Sequence, residues 1–195
     1  RFPEYDTPIN IGKIITVIGG GNTALDSARV ALRLGAEKVI IIYRRTEVEM
    51  PARKQEYLHA IDEGIEFQFL TNPLKIIGDD KNNVKKLKLI KMRLGKLDAS
   101  GRRKTIPIKK TDFLINTDTV ILAIGTRVNP IITKSIPELK LNSNVYIKTD
   151  EFGRTNIKDI FAGGDITTGT ATVISAMAAG YKVANVIDEY LKNIK

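Results

Sequence analysis

The stretch from Val17 to Arg45, VIGGGNTALDSARVALRLGAEKVIIIYRR, constrains the fold more than any other. Ile14 to Ile18 is a short β-branched apolar run, the pattern of a strand buried on both faces. Gly19, Gly20 and Gly21 follow at once. From Thr23 to Leu34, Ala24, Leu25, Ala28, Ala31 and Leu32 recur at helical spacing, opposite Asp26, Arg29 and Arg33. Gly35 stands where a left-handed helix cap belongs, and Val39 to Tyr43 reads as a second buried strand. The order predicts a βαβ unit with Gly19-x-Gly21-x-x-Ala24 at its first turn.

Each small residue in that turn has a physical task. Gly19 permits the sharp exit from the strand. Gly21 lets the backbone approach a pyrophosphate with no Cβ in the way, and Ala24, in place of a third glycine, keeps the helix close to the strand. Free N–H groups near Asn22 and Thr23 then face the diphosphate, with the helix dipole behind them. A glycine motif alone is weak evidence, but here the strand before, the helix after and the second strand are all present. Gly19, Gly20, Gly21, Asn22, Thr23 and Ala24 are the candidate dinucleotide-binding residues. At the end of the second strand an NAD site places a carboxylate for the ribose 2′-OH. This chain has Arg44 and Arg45 there instead. A guanidinium binds a 2′-phosphate through charge-assisted, often bidentate hydrogen bonds, so NADP(H) is favoured over NAD(H).

The chain has 195 residues, enough for one large domain or one and a half small ones. No apolar run is long enough to span a membrane, and the polar, proline-containing opening from Arg1 to Asn10 does not read as a signal peptide. A cytoplasmic location fits. The first residue is not Met, as in a piece of a longer protein. With no cysteines, the sequence carries no disulfide, cysteine-ligated zinc, iron–sulfur cluster or thiol redox chemistry of its own, and no metal site is expected. The formal charge is +9, but it is concentrated: residues 81–110 hold 12 Lys or Arg and one acid, Asp98, and the remainder holds 19 basic and 21 acidic residues. Such a run reads first as a solvated strand surface. A docking face for an acidic partner or cofactor is the second reading and nucleic acid the third. No aromatic residue lies in the run to stack a base, so no nucleic-acid partner is expected.

Elsewhere, Arg1 to Gly12 reads as an extended lead-in. Lys54 to Glu63 has helical spacing with Leu58 and Ile61 inward, Pro51 as its possible start and Gly64 as cap. His59 on this helix reads as a surface or packing residue. Ile65 to Leu70 reads as a strand with Ile65, Phe67 and Phe69 on one face, Thr71-Asn72-Pro73 as a turn, and Leu74 to Ile77 as a short strand. Val84 to Leu94 and Thr105 to Lys109 are the arms of a basic hairpin around Asp98 to Gly101. Thr119 to Ile124 is a third buried strand, ending at Gly125. These elements predict an α/β fold: a Rossmann-like parallel sheet with an antiparallel β meander over residues 1–126. Residues 127–195 form a second part, with a loop from Arg127 to Asn144, strands at Val145–Ile147 and Ile160–Ala162, and a turn at Glu151-Phe152-Gly153-Arg154. A helix from Thr172 to Leu191 follows, whose stripe Val173, Ile174, Met177, Val183, Ile187 and Leu191 reads as core. Gly163-Gly164-Asp165 precedes it and puts a carboxylate, able to accept a sugar hydroxyl, near a helix start.

Taken together, GGGNTALD, YRRTEVEMPAR, DASGRR, TVILAIG and IFAGGDITTGTATVISAMAAG resemble the small subunit of NADPH-dependent glutamate synthase and related two-dinucleotide-binding-domain flavoprotein oxidoreductases. The resemblance covers nearly the whole chain. It implies that residues 1 to about 126 are an NADPH domain inserted into an FAD domain, whose C-terminal return is residues 127–195. It also implies that Arg44 and Arg45 hold the 2′-phosphate, that Gly125 lies near the crossover, and that Gly164 and Asp165 meet the flavin ribityl chain. Thr170, Ala171, Thr172 and Val173 would put a helix start near the flavin N1–C2 carbonyl.

The FAD adenosine half needs a glycine turn of its own, which the family carries N-terminal to the NADPH domain together with a cysteine-rich iron–sulfur segment. This chain has one such turn and no cysteine, so it resembles a complete NADPH module with an incomplete flavin site, expected to purify colourless. In the intact family NADPH passes hydride to FAD, a step that needs aligned rings rather than a protein acid or base, and no catalytic side chain is assigned. The implied partners are the missing iron–sulfur/FAD segment and, beyond it, the glutamate synthase large subunit or ferredoxin, with self-association through uncovered apolar surface left open. A binding module without activity of its own is the competing reading. Oligonucleotide binding lost on neutralising Lys85, Lys86, Lys88 and Lys91 would favour the nucleic-acid one.

Overall fold

The computed structural model of the chain describes residues 11–97, 101–126, 128–143 and 145–194. Most of the lead-in, the tip of the basic hairpin at 98–100 and Arg127, where a domain boundary was expected, lie outside the described residues. The chain divides into two compact units, Arg1–Ile124 and Gly125–Lys195.

In the first unit a four-stranded parallel sheet runs in the order β3 (Glu66–Gln68), β2 (Lys38–Ile42), β1 (Ile14–Ile18), β8 (Thr119–Leu122). Helices α1 (Asn22–Arg33) and α2 (Lys54–Asp62) connect β1 to β2 and β2 to β3. Alternation along the strands sorts the apolar residues onto two faces. Ile15, Val17, Val39 and Ile41 pack on Ala24, Leu25, Ala28 and Ala31 of α1 and on Tyr57 and Ala60 of α2. Ile18, Ile40 and Ile42 face the other way, onto Leu87 and Leu89. This is why both central strands read as continuous apolar runs.

The second layer is an antiparallel meander. β5 (Val84–Leu97) pairs with β4 (Thr71–Gly78) and β7 (Phe113–Asn116) along its first half and with β6 (Arg103–Pro107) along its second. Leu87 and Leu89 are fully buried, each contributing about 1.5–3 kcal/mol. Thr16, also fully buried, donates from Oγ1 to Thr117 Oγ1 at 3.0 Å, so its hydroxyl is not stranded beneath the meander. The basic run is thus mostly strand surface. Lys88 pairs with Asp112 at 2.6 Å, and Lys91 lies over the Phe113 ring at 4.8 Å.

Several expectations fail here for identifiable reasons. On α2 the inward residues are Tyr57 and Ala60, while Leu58 and Ile61 are exposed. Tyr57 meets the edge of Phe67 at 4.8 Å and Phe67 stacks on Phe69, so an aromatic cluster decides the rotation of the helix. The helix also begins at Lys54, with Arg53 as its cap, rather than at Pro51. Thr71-Asn72-Pro73 is not a turn but the start of β4. The chain reverses at Leu70, in the left-handed region, and Pro73 is accommodated at a register shift on an edge strand, where its missing N–H costs least. β7 was not anticipated as a strand, because four residues show too few alternations to stand out.

In the second unit, α3 (Ile131–Ser135) and α4 (Asp165–Thr168) precede the long helix α5 (Val173–Lys192). α3 is a single turn of helix inside the stretch read as loop. The strands expected at Val145–Ile147 and Ile160–Ala162 reduce to single bridges, Leu141 with Ile147 and Arg154 with Phe161. Among the described residues the unit offers them no continuous partner. The turn at Glu151–Arg154 is present: Asp150 Oδ1 accepts from Phe152 N and Arg154 N at 2.9 Å each, and Gly153 takes φ +80° against Val183 of α5. The apolar stripe of α5 is not core at its N-terminal end. Val186 is buried and Phe161 packs on Tyr190, but Val173, Ile174 and Met177 are 76%, 79% and 56% exposed. Period alone reports that a helix has an apolar face, not that the same unit covers it.

Candidate dinucleotide site

The loop between β1 and α1 shows why each glycine is there. A Cβ on Gly19, at φ +149°, would lie 2.3 Å from the carbonyl oxygen of Ala123, just past β8, and 3.3 Å from Ala24 Cβ. Gly19 is therefore demanded by its own fold, and Ala24 beside it is fully buried. A Cβ on Gly20 would meet the Tyr43 ring at 2.6 Å, so Gly20 makes room for the end of β2. Gly21 differs. It caps α1 in extended conformation, and its nearest neighbour is Pro51 Cγ at 3.9 Å. The space a side chain would take there is open. The carbonyl of Gly21 accepts from Ala24 N and Leu25 N, while Asn22 N and Thr23 N donate to no described protein acceptor. Two amides at the start of a twelve-residue helix thus border open space beside a glycine, the arrangement a diphosphate fits.

A second segment closes on this loop. Asn22 Oδ1 accepts from Arg53 N at 2.9 Å, and Ala52 N donates to Gly20 O at 3.2 Å. The side-chain oxygen of Asn22 is thereby engaged with the chain itself, and its main-chain N–H stays open to a ligand. Local sequence pattern holds no signal for this approach of Pro51–Arg53, which comes from the packing of α2.

At the end of β2 the two arginines part company. Arg44 is exposed. Arg45 is 4% exposed, and its Nε donates to the main-chain oxygen of Arg103 at 2.7 Å. Of the pair expected to hold one phosphate, Arg44 is thus the one that faces solvent, and Arg45 has its Nε engaged with the main chain. Beyond them Thr46 and Glu49 form a reciprocal cap on a short turn, Glu47–Glu49, with Tyr43 Oη donating to Glu49 O at 2.8 Å. Hydrogen bonding from the Thr46 hydroxyl holds the Glu49 carboxyl below the usual carboxylate range, with a smaller contribution from Arg103.

In the second unit Asp165 borders two recesses. One, of about 190 Å³, is lined by Thr126, Asn129, Tyr146 and Thr170 among others, and one, of about 400 Å³, by Ala171, Thr172, Val173, Ala176 and Met177. Asp165 begins the four-residue α4 and not the long helix, so Gly163-Gly164-Asp165 and the start of α5 are separate features. Thr172 caps α5, its hydroxyl accepting from Ser175 N at 3.2 Å. Gly169, at φ +87°, lies where a Cβ would strike Tyr146 Oη at 2.8 Å, and this fixes the loop that carries Thr170. Gly125, at φ +82°, has nothing within 4 Å of an added Cβ.

A parallel sheet in the order 3-2-1-8, with an amide-lined glycine turn after its first strand and a β meander between its third and last strands, defines a Rossmann-like nucleotide-binding fold of the flavin and pyridine-nucleotide oxidoreductase type. Over residues 3–180 the sequence matches the family described as pyridine nucleotide-disulphide oxidoreductase, and the chain belongs to that family. It is 39% identical over 181 residues to the NADP(+)-dependent formate dehydrogenase subunit beta of Moorella thermoacetica, covering 93% of this chain and 25% of that protein. It is 35% identical over 185 residues to the small chain of the NADPH glutamate synthase of Escherichia coli K12, covering 93% of this chain and 39% of that one. Among solved structures, the thioredoxin reductase of T. acidophilum superposes with a TM-score of 0.69 at 25% identity, over 95% of this chain and 54% of that one. The chain thus spans two fifths or less of the length of these curated relatives. The family name includes a disulphide, but these 195 residues contain no cysteine, so no thiol–disulfide exchange runs within them. Among the described residues no helix is long and apolar enough to cross a membrane.

Proposed function

We propose that this chain is the NADP(H)-binding part of a flavoprotein oxidoreductase of the glutamate synthase small-subunit type, which takes reducing equivalents from NADPH. The observation that carries the reading is Gly21: it opens space at the start of α1 that a Cβ would fill, beside two amides without a protein acceptor. In this reading Gly19 and Gly20 shape the loop, Gly21, Asn22 and Thr23 present the diphosphate-binding amides, and Ala24 keeps α1 close. Arg44 meets the 2′-phosphate. Bound NADPH supplies a hydride, and the residues of the chain bind and orient it without a protein acid or base.

The second unit contributes the C-terminal part of an FAD site. There Gly125, Gly164, Asp165 and Thr170 to Val173 line the flavin, and the exposed apolar start of α5 is a surface for the rest of that domain. The relatives named for formate dehydrogenase and for glutamate synthase serve different reactions, and their common element is pyridine-nucleotide chemistry. Glutamate biosynthesis is the particular role we assign from the sequence motifs, with another NADPH-dependent electron-transfer subunit as the alternative.

Calorimetric titration of the chain with NADPH, NADH and FAD under one set of conditions tests the reading. NADPH should bind more tightly than NADH, and the protein should purify colourless. Equal affinity for the two nicotinamide cofactors would refute the 2′-phosphate assignment. A yellow protein with stoichiometric FAD would refute the incomplete flavin site.

A further inference from the structure

We propose that Arg103, the first residue of β6, is a second cation of the 2′-phosphate subsite, and that Arg45 is the positioning residue that brings it there. This rests on the NADP(H) reading above. After β2 the chain bends at Arg44 and Arg45 and stays tied to the segment after β3: Tyr43 N donates to Gln68 O, and Tyr43 O and Arg45 O accept from Thr71 N and Leu70 N. Arg44 is exposed there, whereas Arg45 is only 4% exposed. Arg45 instead runs inward and holds the main chain of Arg103, 58 residues away, at 2.7 Å. The bond ties the basic hairpin to the end of β2, where a fold of this class places the adenosine ribose.

The Arg103 side chain is 59% exposed, and its Nε lies 4.0 Å from Glu49 Oε1 in the turn that follows Arg44 and Arg45. A pair at that distance and exposure holds its guanidinium weakly. A phosphate dianion offers the same fork a charge-assisted, bidentate partner. Part of the charge excess of residues 81–110 then has a use, delivering a cation to an edge of the nucleotide site that the glycine loop does not reach.

Calorimetry on the 195-residue chain, with NADPH, NADH and 2′,5′-ADP as probes, tests the assignment. Arg103→Ala should weaken NADPH and 2′,5′-ADP roughly tenfold or more, the effect of losing a charge-assisted hydrogen bond, and leave NADH within about twofold. Arg103→Lys should restore part of the loss, and Glu49→Gln should leave NADPH binding as tight or tighter. Equal losses for NADPH and NADH, no loss, or a Glu49→Gln variant that reproduces the Arg103→Ala defect would overturn the assignment, the last by reducing Arg103 to an ion-pair partner. If the unsubstituted chain binds neither NADPH nor 2′,5′-ADP, the underlying reading fails and this one with it. An NADPH-to-NADH affinity ratio in Arg103→Ala equal to that of the unsubstituted chain overturns this one alone.

Discussion

Replacing Gly21 by alanine separates binding from folding. An added Cβ at Gly21 has no neighbour closer than Pro51 Cγ at 3.9 Å, and the residue's φ of −93° suits any side chain. Alanine is a poorer helix cap than glycine, which costs about 0.5–1 kcal/mol, but it also reduces the freedom of the unfolded chain, which returns about 0.4–1 kcal/mol. The two nearly cancel, so the midpoint of thermal unfolding should move by no more than a few degrees. The new methyl nevertheless occupies the space through which the amides of Asn22 and Thr23 meet a diphosphate. Losing one hydrogen bond to a charged group costs about 1.5–3 kcal/mol, and Gly21→Ala should weaken NADPH and NADH alike by roughly 10- to 150-fold. Gly19→Ala is the contrasting variant. Its Cβ would fall 2.3 Å from the Ala123 carbonyl at a φ of +149°, so it should lower the melting temperature sharply. The assay is calorimetric titration paired with thermal melts of both variants. Unchanged NADPH affinity in a folded Gly21→Ala protein, or a loss confined to NADPH, would refute the diphosphate cradle.

Arg44→Ala should weaken NADPH binding by about 1.5–3 kcal/mol and leave NADH nearly unchanged in the same titration. The pH dependence of stability follows from two carboxylates at element ends, Glu63 after α2 and Asp118 before β8. Hydrogen bonding from Arg29 holds the Glu63 carboxyl below its ordinary range, and the N–H groups of Ile14 and Lys13 do the same for Asp118. A depressed carboxyl contributes stability that is present above its unfolded pKa and lost as pH falls through the folded value. Unfolding should therefore be promoted from about pH 4 downward, and Glu63→Gln should flatten that acid limb in denaturant melts while lowering stability at neutral pH. An acid limb unchanged by the substitution would remove Glu63 from the account.

Local pattern carries the βαβ unit almost entirely. The unbroken β-branched run of Ile14–Ile18, the spacing of Ala24, Leu25, Ala28 and Ala31, and the cap at Gly35 are short-range features, and short-range sterics decide them. The glycine turn is legible for the same reason, since a residue without a Cβ has a conformational meaning wherever it stands. What the tertiary structure alone decided involves choices between faces and partners far apart in the chain. On α2 the aliphatic Leu58 and Ile61 read as inward, but the aromatic pair Phe67 and Phe69 selects Tyr57. The α5 stripe reads as core, but among the described residues nothing covers Val173 and Ile174. Arg44 and Arg45 are indistinguishable as letters. A carbonyl oxygen 58 residues downstream draws one inward and leaves the other for solvent, a contact that no pattern of nearby residues encodes.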